Sequence, residues 1–287
     1  MVFEYSLKGR PVIALLTDFG TRDAYVGVMK GVILSRAPDV QIVDLSHEVT
    51  PQAMAEAAFL LETAWRFFPR GSVFIVVVDP GVGTTRQRLA IAVEGRFLVG
   101  PDNGVLSGAL SAAVRGQRRA GEAYSAHEIA LPDGAAAVSV ENGSLFLYPR
   151  SATFEGRDVF APVAAHLASG GSLPDLGPRV ERLLAFPAFE APVQDGVIDG
   201  LILHVDHFGN LITDILAADL PPAPTFQVAG RQLQVAGTYG DAKRLVAIAG
   251  SSGYIEITMP NGSAAKELNA GVGERVVVTG STVSPSP

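Results

Sequence analysis

Val73-Phe74-Ile75-Val76-Val77-Val78-Asp79-Pro80-Gly81-Val82-Gly83-Thr84-Thr85-Arg86 is the stretch on which the reading of the fold turns. Its six leading residues are apolar and, Phe74 apart, β-branched, the character of a strand buried on both faces. The run stops at a carboxylate. Pro80, Gly81 and Gly83 then form a loop tight enough for backbone to approach a ligand. Arg86 follows seven residues after Asp79, close enough to fold back on it. Open α/β sheets bind ligands outside the carboxyl ends of their strands, which is where this spacing puts Asp79. A strand closed by a Pro-Gly turn and a surface ion pair reads the same way, and this segment alone does not choose between the two.

The arrangement recurs on either side. Val12 to Leu16 is a second apolar run that stops at Thr17-Asp18-Phe19-Gly20, with Asp23 just beyond. Gln41-Ile42-Val43 stops at Asp44, and Phe97-Leu98-Val99 at Gly100-Pro101-Asp102-Asn103-Gly104. Any one Asp is explained by turn or cap chemistry. Four strands ending in carboxylates, if parallel, crowd them onto one rim of one sheet and predict a polar site there.

The chain has 287 residues, enough for two domains with real cores. At 48% hydrophobic and 18% charged residues it reads as a globular protein. No apolar run reaches spanning length and the N-terminus lacks a signal-peptide pattern, so no membrane association is expected. The absence of cysteine excludes disulfides, thiolate zinc sites and thiol catalysis, and fits a cytoplasmic location. A formal net charge of −7 argues against nucleic acid as the main partner.

Strand and helix signals alternate through residues 1–186, the pattern of an α/β domain with a central, largely parallel sheet. A helix is expected over Asp23–Arg36. Another should start at Thr50-Pro51, an N-cap followed by Pro, and run to Phe68, with Trp65, Phe67 and Phe68 in the core. A third covers Asp158–Ala168. Periodicity fades from about Leu183, and residues 187–196, with Pro187 and Pro192, read as a linker. Residues 197–287 form a smaller all-β, barrel-like domain of short strands at Val197–Asp206, Thr225–Ala236, Leu245–Ala249, Tyr254–Thr258 and Arg275–Thr279. Short helical pieces fall near Ile215 and Ala265, and a frayed Ser-Pro tail ends the chain.

Several motifs lead nowhere. Asp18-Phe19-Gly20 matches the kinase metal-binding triplet, but no glycine-rich phosphate loop precedes it. Gly81-Val82-Gly83 lacks the third glycine of a dinucleotide fingerprint. His204 and His207 lie three apart on or near a strand and face opposite ways, which is poor for a metal. A magnesium site built from Asp18, Asp79 and Asp102 stays open as an alternative. In the β domain, Asp206-His207-Phe208-Gly209-Asn210 offers a carboxylate, an aromatic face and an amide, a set that suits a purine. Ser251-Ser252-Gly253-Tyr254 offers hydroxyls and backbone N–H groups for a carboxylate. Turn chemistry alone accounts equally well for either segment.

Taken together, these segments resemble the S-adenosylmethionine hydroxide adenosyltransferase family, relatives of the fluorinase and chlorinase. The matching pieces are Thr17-Asp18-Phe19-Gly20, Tyr25-Val26-Gly27, Lys30-Gly31, the Asp79–Arg86 loop, Pro101 to Gly104, Thr153-Phe154-Glu155-Gly156-Arg157-Asp158, Asp206 to Asn210, and Gly250 to Glu256 with Asn261-Gly262-Ser263-Ala264-Ala265. The resemblance implies a homotrimer, with each site shared between one subunit's first domain and its neighbour's second. It implies that Asp18 holds the ribose diol, that Asp23 and Asp206 face the methionine ammonium, and that Ser251, with Ser252 beside it, meets the methionine carboxylate. Phe208 and Asn210 would contact adenine, helped by backbone around Asn261 and Gly262. In the family's hydrolases an Asp, an Arg and a His surround the attacking water. Asp79 and Arg86 match the first two, whereas Glu155 stands at the position of the His; His127 lies outside the motif.

The implied reaction is displacement at the ribose 5′ carbon of S-adenosylmethionine by water, giving adenosine and methionine without metal or cofactor. The sulfonium leaves as a neutral thioether, so no general acid is needed. The requirement is a water held in line in a dry site, with Asp79 accepting its proton late. Glu155 is either a second base or a partner for Arg86. Two carboxylates sharing one arginine would couple, and one could hold a proton near neutrality. A halide-dependent enzyme would need an apolar anion pocket, which this pair of carboxylates disfavours. A protein that binds S-adenosylmethionine or adenosine without turnover is the alternative from another class.

Overall fold

The structure is a computed structural model that describes residues 10–280; the Ser-Pro tail lies outside the described residues. The chain divides into two compact units. The first takes the chain up to Arg115 together with Ser125–Phe186, and the second takes Gly116–Tyr124 together with the chain from Pro187 onward. The sequence carries no sign of the 116–124 excursion.

Among the described residues, nine strands belong to the first unit: β1 (Val12–Thr17), β2 (Gln41–Ser46), β3 (Val73–Val77), β4 (Arg88–Val93), β5 (Arg96–Pro101), β6 (His127–Ala130), β7 (Ala136–Ser139), β8 (Arg179–Val180) and β9 (Arg182–Ala185). Seven form one sheet in the order β2-β1-β3-β5-β4-β7-β8. The run β2-β1-β3-β5 is parallel throughout, with Ile13 opposite both Ile42 and Val73, and Val73 opposite Phe97. From β5 onward the sheet is antiparallel. The β4–β5 hairpin turns on Glu94 and Gly95, both at positive φ, the geometry that matches strand twist in a two-residue loop. β6 and β9 pair separately, so Leu183–Ala185 is strand where the sequence suggested fading order.

Alternation along β1 and β3 builds a core on each face of the sheet. Ile13, Leu15, Val73, Ile75 and Val77 pack beneath Met29 and Ile33 of α1 (Tyr25–Arg36) and beneath Val163, Ala164 and Leu167 of a later helix (Ala161–Ala168). Ala14, Leu16, Phe74, Val76 and Val78 pack on the other face, beneath Ala57 and Leu61 of α2 (Met54–Ala64) and beneath Trp65. A four-residue helix, α3 (Ala112–Arg115), precedes the excursion, so the later helix is α4. The chain leaves β1 through α1 on one face to reach β2, and returns through α2 on the other face to reach β3. Strand order therefore reverses between β1 and β3, the topological switch point at which open α/β sheets bind ligands. Asp18 and Asp79 stand just past the ends of those two strands.

The structure corrects several expectations here. α2 does not start at Thr50-Pro51, because Gln52 has a φ of 68°, a left-handed conformation that a helix cannot contain. Trp65 is core, but Phe67 is 87% exposed on a 3₁₀ turn that turns its ring outward. β2 runs past Asp44 to Ser46. A π-helical turn, Gly156–Phe160, precedes α4, so helical geometry begins earlier than Asp158. Such turns are frequent at functional sites.

Among the described residues, eight strands form one sheet in the second unit: β10 (Val193–Gln194), β11 (Val197–Val205), β12 (Leu211–Leu216), β13 (Thr225–Val228), β14 (Arg231–Leu233), β15 (Val246–Ala249), β16 (Tyr254–Thr258) and β17 (Arg275–Thr279). The order is β14-β13-β17-β11-β12-β16-β15, with β10 added to β11 inside the segment read as linker. Val235, just past β14, bridges to Ala247 of β15, joining the two edges into a nearly closed barrel. Ile202, Leu211, Phe226, Ile255, Ile257, Val276 and Val278 fill it. Ile215 itself lies in β12, whose apolar pattern a fully buried Asp214 hides, and the short helical piece expected near it is the 3₁₀ turn Ala217–Asp219. The expected piece near Ala265 is α5 (Ala264–Leu268). Among the described residues, no helix is long and apolar enough to cross a membrane.

The excursion 116–124 is held to the barrel by buried charge. Arg118 donates to Asp214 Oδ2 at 3.0 Å and to the Asp199 carbonyl at 2.6 Å. Tyr124 donates to the same Asp214 oxygen at 2.9 Å, and Arg275 pairs with Asp199. Burial pushes the Asp214 carboxyl above its ordinary range, against the opposing pull of the Leu201 N–H and Arg118.

Candidate active site

At the switch point the first unit has a cleft of about 350 Å³ lined by Asp18, Phe19, Gln52, Val77, Asp79, Pro80, Val82, Thr153, Phe154, Glu155 and Gly156. Two of these lining residues, Asp79 and Glu155, belong to a network of charged groups. Arg86 folds back on Asp79 with two hydrogen bonds, Nε to Oδ1 at 2.9 Å and Nη2 to Oδ2. The same Nη2 lies 2.5 Å from Glu155 Oε2, while Arg88 meets the other oxygen, Oε1, through Nε at 2.7 Å. Asp79 and Glu155 side chains are each 5% exposed and that of Arg86 10%. Planar guanidinium groups suit such multidentate bridging of carboxylates.

Burial pushes the Glu155 carboxyl up, but hydrogen bonds from Arg88 and Arg86 outweigh it and hold it below the ordinary carboxylate range. Burial likewise opposes the charge on Arg86, but Asp79 and Glu155 overcome it and raise its pKa. Glu155 is thus gripped by both arginines, Arg86 on one oxygen and Arg88 on the other.

Local backbone sets these positions. A Cβ on Gly83, at φ 80°, would sit 2.9 Å from the Ala152 carbonyl oxygen, so only glycine lets the 79–86 loop lie against the segment leading to Glu155. The N–H of Gln52 donates to Asp18 Oδ2 at 2.9 Å, which accounts for the left-handed Gln52. Phe19, Tyr25 and Phe154 form an aromatic cluster with centroids 5.3–5.9 Å apart, and two of the three wall the cleft.

The other rim carboxylates do not join the cleft. Asp102 turns away and accepts the Leu184 N–H at 2.8 Å; burial pushes its carboxyl up. Asp44 pairs with Lys30 at 2.6 Å and His47 at 3.0 Å. Asp18, Asp79 and Asp102 therefore do not converge, and among the described residues no three acidic or histidine side chains are grouped to hold a metal. Asp23 is exposed just ahead of α1, and His127 is exposed on β6.

In the second unit, Asp206 organises its turn. Oδ1 accepts the N–H groups of Phe208 and Asn210 at 2.9 and 2.8 Å, and Oδ2 accepts the Asn210 amide at 2.8 Å. Thr258 donates to Asn210 Oδ1 at 2.6 Å. The buried amide of Asn210 thus braces the turn, whereas Phe208 is 74% exposed and offers its ring to solvent. The Ala265 N–H reaches the Gly209 carbonyl at 3.0 Å, and a Cβ on Gly209 would sit 2.1 Å from Ser263 Oγ. The turn and the segment holding Asn261, at φ 56°, and Gly262 therefore form one surface. Ser251 and Ser252 are exposed in the β15–β16 turn, at the far end of β16 from Asn261.

Sequence reasoning missed Gln52 and Arg88. Gln52 acts through its backbone and leaves no side-chain signal. Arg88 had one: it opens an apolar strand run two residues after Arg86.

An α/β unit with a carboxylate–arginine cleft at its switch point, followed by an antiparallel barrel, defines a two-unit ligand-binding enzyme architecture. Residues 13–177 match the model of the SAM hydroxide adenosyltransferase N-terminal domain and residues 200–277 that of its C-terminal domain, and the chain belongs to that family. It is 40% identical over 269 residues to the (R)-S-adenosyl-L-methionine hydrolase of Thermus thermophilus, covering 90% of this chain and 95% of that one. Similarity to a fluorinase of Actinoplanes sp. is lower, 30% over 312 residues, covering 95% and 98% of the two chains. A crystal structure of an uncharacterized conserved protein from Thermotoga maritima superposes with a TM-score of 0.78 at 31% identity, over 93% of this chain and 99% of that one.

Proposed function

We propose that this protein hydrolyses S-adenosyl-L-methionine to adenosine and L-methionine. The observation that carries the reading is that Asp79 and Glu155, both on the lining of the switch-point cleft, are joined through Arg86, in a chain 40% identical to a protein named as such a hydrolase. A water oxygen attacks the ribose C5′, the C5′–S bond breaks, and its electron pair stays on sulfur, which leaves as the neutral thioether of methionine. The water's proton passes to Asp79 and then to solvent. Arg86 aims Asp79, and the aromatic wall keeps the reaction centre dry. Asp18, partly exposed at the cleft, holds the ribose diol; Asp23, Asp206, Ser251 and Ser252 hold the amino-acid end. Phe208, Asn210, Asn261 and Gly262 form the adenine side, with Phe208 supplying the stacking face. Two carboxyl side chains, Asp79 and Glu155, line the cleft, which favours water over halide as the nucleophile.

Incubation of the pure protein with S-adenosylmethionine should give adenosine and methionine in equal amounts by chromatography, and the rate should be unchanged by chelator. Methylthioadenosine as the only product, or inhibition by chelator reversed by magnesium, would overturn the reading.

The same proposal includes a homotrimer in which one copy's first unit and a neighbour's second unit complete each site. Chains carrying Asp18→Ala and Asn210→Ala, each inactive alone, should recover activity when mixed under verified subunit exchange. Absence of recovery would rule out the shared site.

A further inference from the structure

Arg88 has no part in the chemistry above, yet it is bound into the same network. Its Nη2 lies 2.5 Å and its Nε 2.7 Å from Oε1 of Glu155, and its side chain is only 23% exposed. Like Arg86, it is absent from the cleft lining, which, of this network, only the two carboxylates reach. With Asp79, Arg86 and Glu155 it completes a quartet of two carboxylates and two guanidinium groups, neutral as a whole. Without it, two buried carboxylates would depend on one arginine, whose Nη2 is already divided between them. A buried carboxylate so deprived binds a proton or moves, and either change loosens Arg86 from Asp79.

We propose that Arg88 is a positioning residue for the hydrolysis assigned above. It keeps Glu155 as a carboxylate, so that Arg86 is gripped from both sides and Asp79 stays aimed. It is required because residue 155 is a glutamate. With a neutral or cationic side chain there, Arg88 would have nothing to balance.

The inference rests on the hydrolase reading, and the test separates the two. Turnover number, KM and Tm are measured for the unsubstituted chain, Arg88→Met, Arg88→Lys, Glu155→His and the double variant Arg88→Met with Glu155→His. Arg88→Met should lower kcat by about ten-fold or more, KM should move less than about two-fold, and in the Glu155→His background the same change should cost less than about two-fold, as expected for residues coupled through direct contact. Arg88→Lys should restore most of the lost turnover. If Glu155→His is inactive, Glu155→Gln serves as the second background. Equal losses in both backgrounds, a loss seen in KM, or a loss that follows Tm would overturn the role of Arg88 while leaving the hydrolase reading intact. An inactive unsubstituted chain would overturn both.

Discussion

Asp79→Asn should slow hydrolysis of S-adenosylmethionine by roughly 10²–10⁴-fold, the span typical of a lost general base. The substitution keeps the shape of the side chain and an oxygen for one Arg86 bond, but removes the charge that both Arg86 contacts address. Glu155 still holds Arg86 and Arg88, so the cleft should keep its form. The loss is expected in kcat, with KM changed little, because in the proposed reaction Asp79 accepts the water's proton rather than holding the ligand's recognition groups. Glu155→Gln should cost less than Asp79→Asn, since the bracing oxygen remains. An Asp79→Asn enzyme with the unsubstituted rate would remove Asp79 from the mechanism.

Arg118→Ala should destabilise the second unit by about 3–5 kcal/mol, the cost of leaving a buried carboxylate without its partner. The side chains of Arg118 and Asp214 are 1% and 0% exposed, and Arg118 also supports the Asp199 carbonyl. Its neighbour provides the control. Arg119 is 85% exposed and reaches Glu122 only at 3.9 Å, so Arg119→Ala should shift stability by no more than about 0.5 kcal/mol. Urea unfolding of both variants, followed on the full chain, measures the contrast. Similar midpoints for the two would show that the buried cluster contributes no more than a surface pair.

Much of the site was legible because its chemistry sits where short-range patterns are strongest. The run Val73–Val78 is buried throughout, and Asp79 follows at the rim as its spacing predicts. Asp18 follows β1 in the same way. The hairpin and strand limits at Tyr254–Thr258 and Arg275–Thr279 match the sequence reading because alternating β-branched residues are bounded there by glycine and asparagine. Helix starts were less legible. Thr50-Pro51 has the right composition for a cap, but Gln52 is pulled into a left-handed conformation to reach Asp18, and a tertiary hydrogen bond overrides the local preference. The strand at Leu211–Leu216 was missed because Asp214 is buried, and a charge inside a barrel makes sense only once Arg118 is beside it.

The sequence by itself determined that strands would end in carboxylates, that an α/β unit would precede a β unit, and that Arg86 lies within reach of Asp79. These follow from periodicity and from motifs carried within a few residues of one another. Only the tertiary structure decided which carboxylates share the cleft. Asp18 and Asp79 do because strand order reverses between β1 and β3, whereas Asp102 turns to Leu184 and Asp44 to Lys30 and His47. It also placed Arg88 beside Arg86 on Glu155, so that two arginines share that carboxylate. The balance between the cost of burying a charge and the return from its partners depends on distances between residues 67 and 69 positions apart, which no local pattern contains.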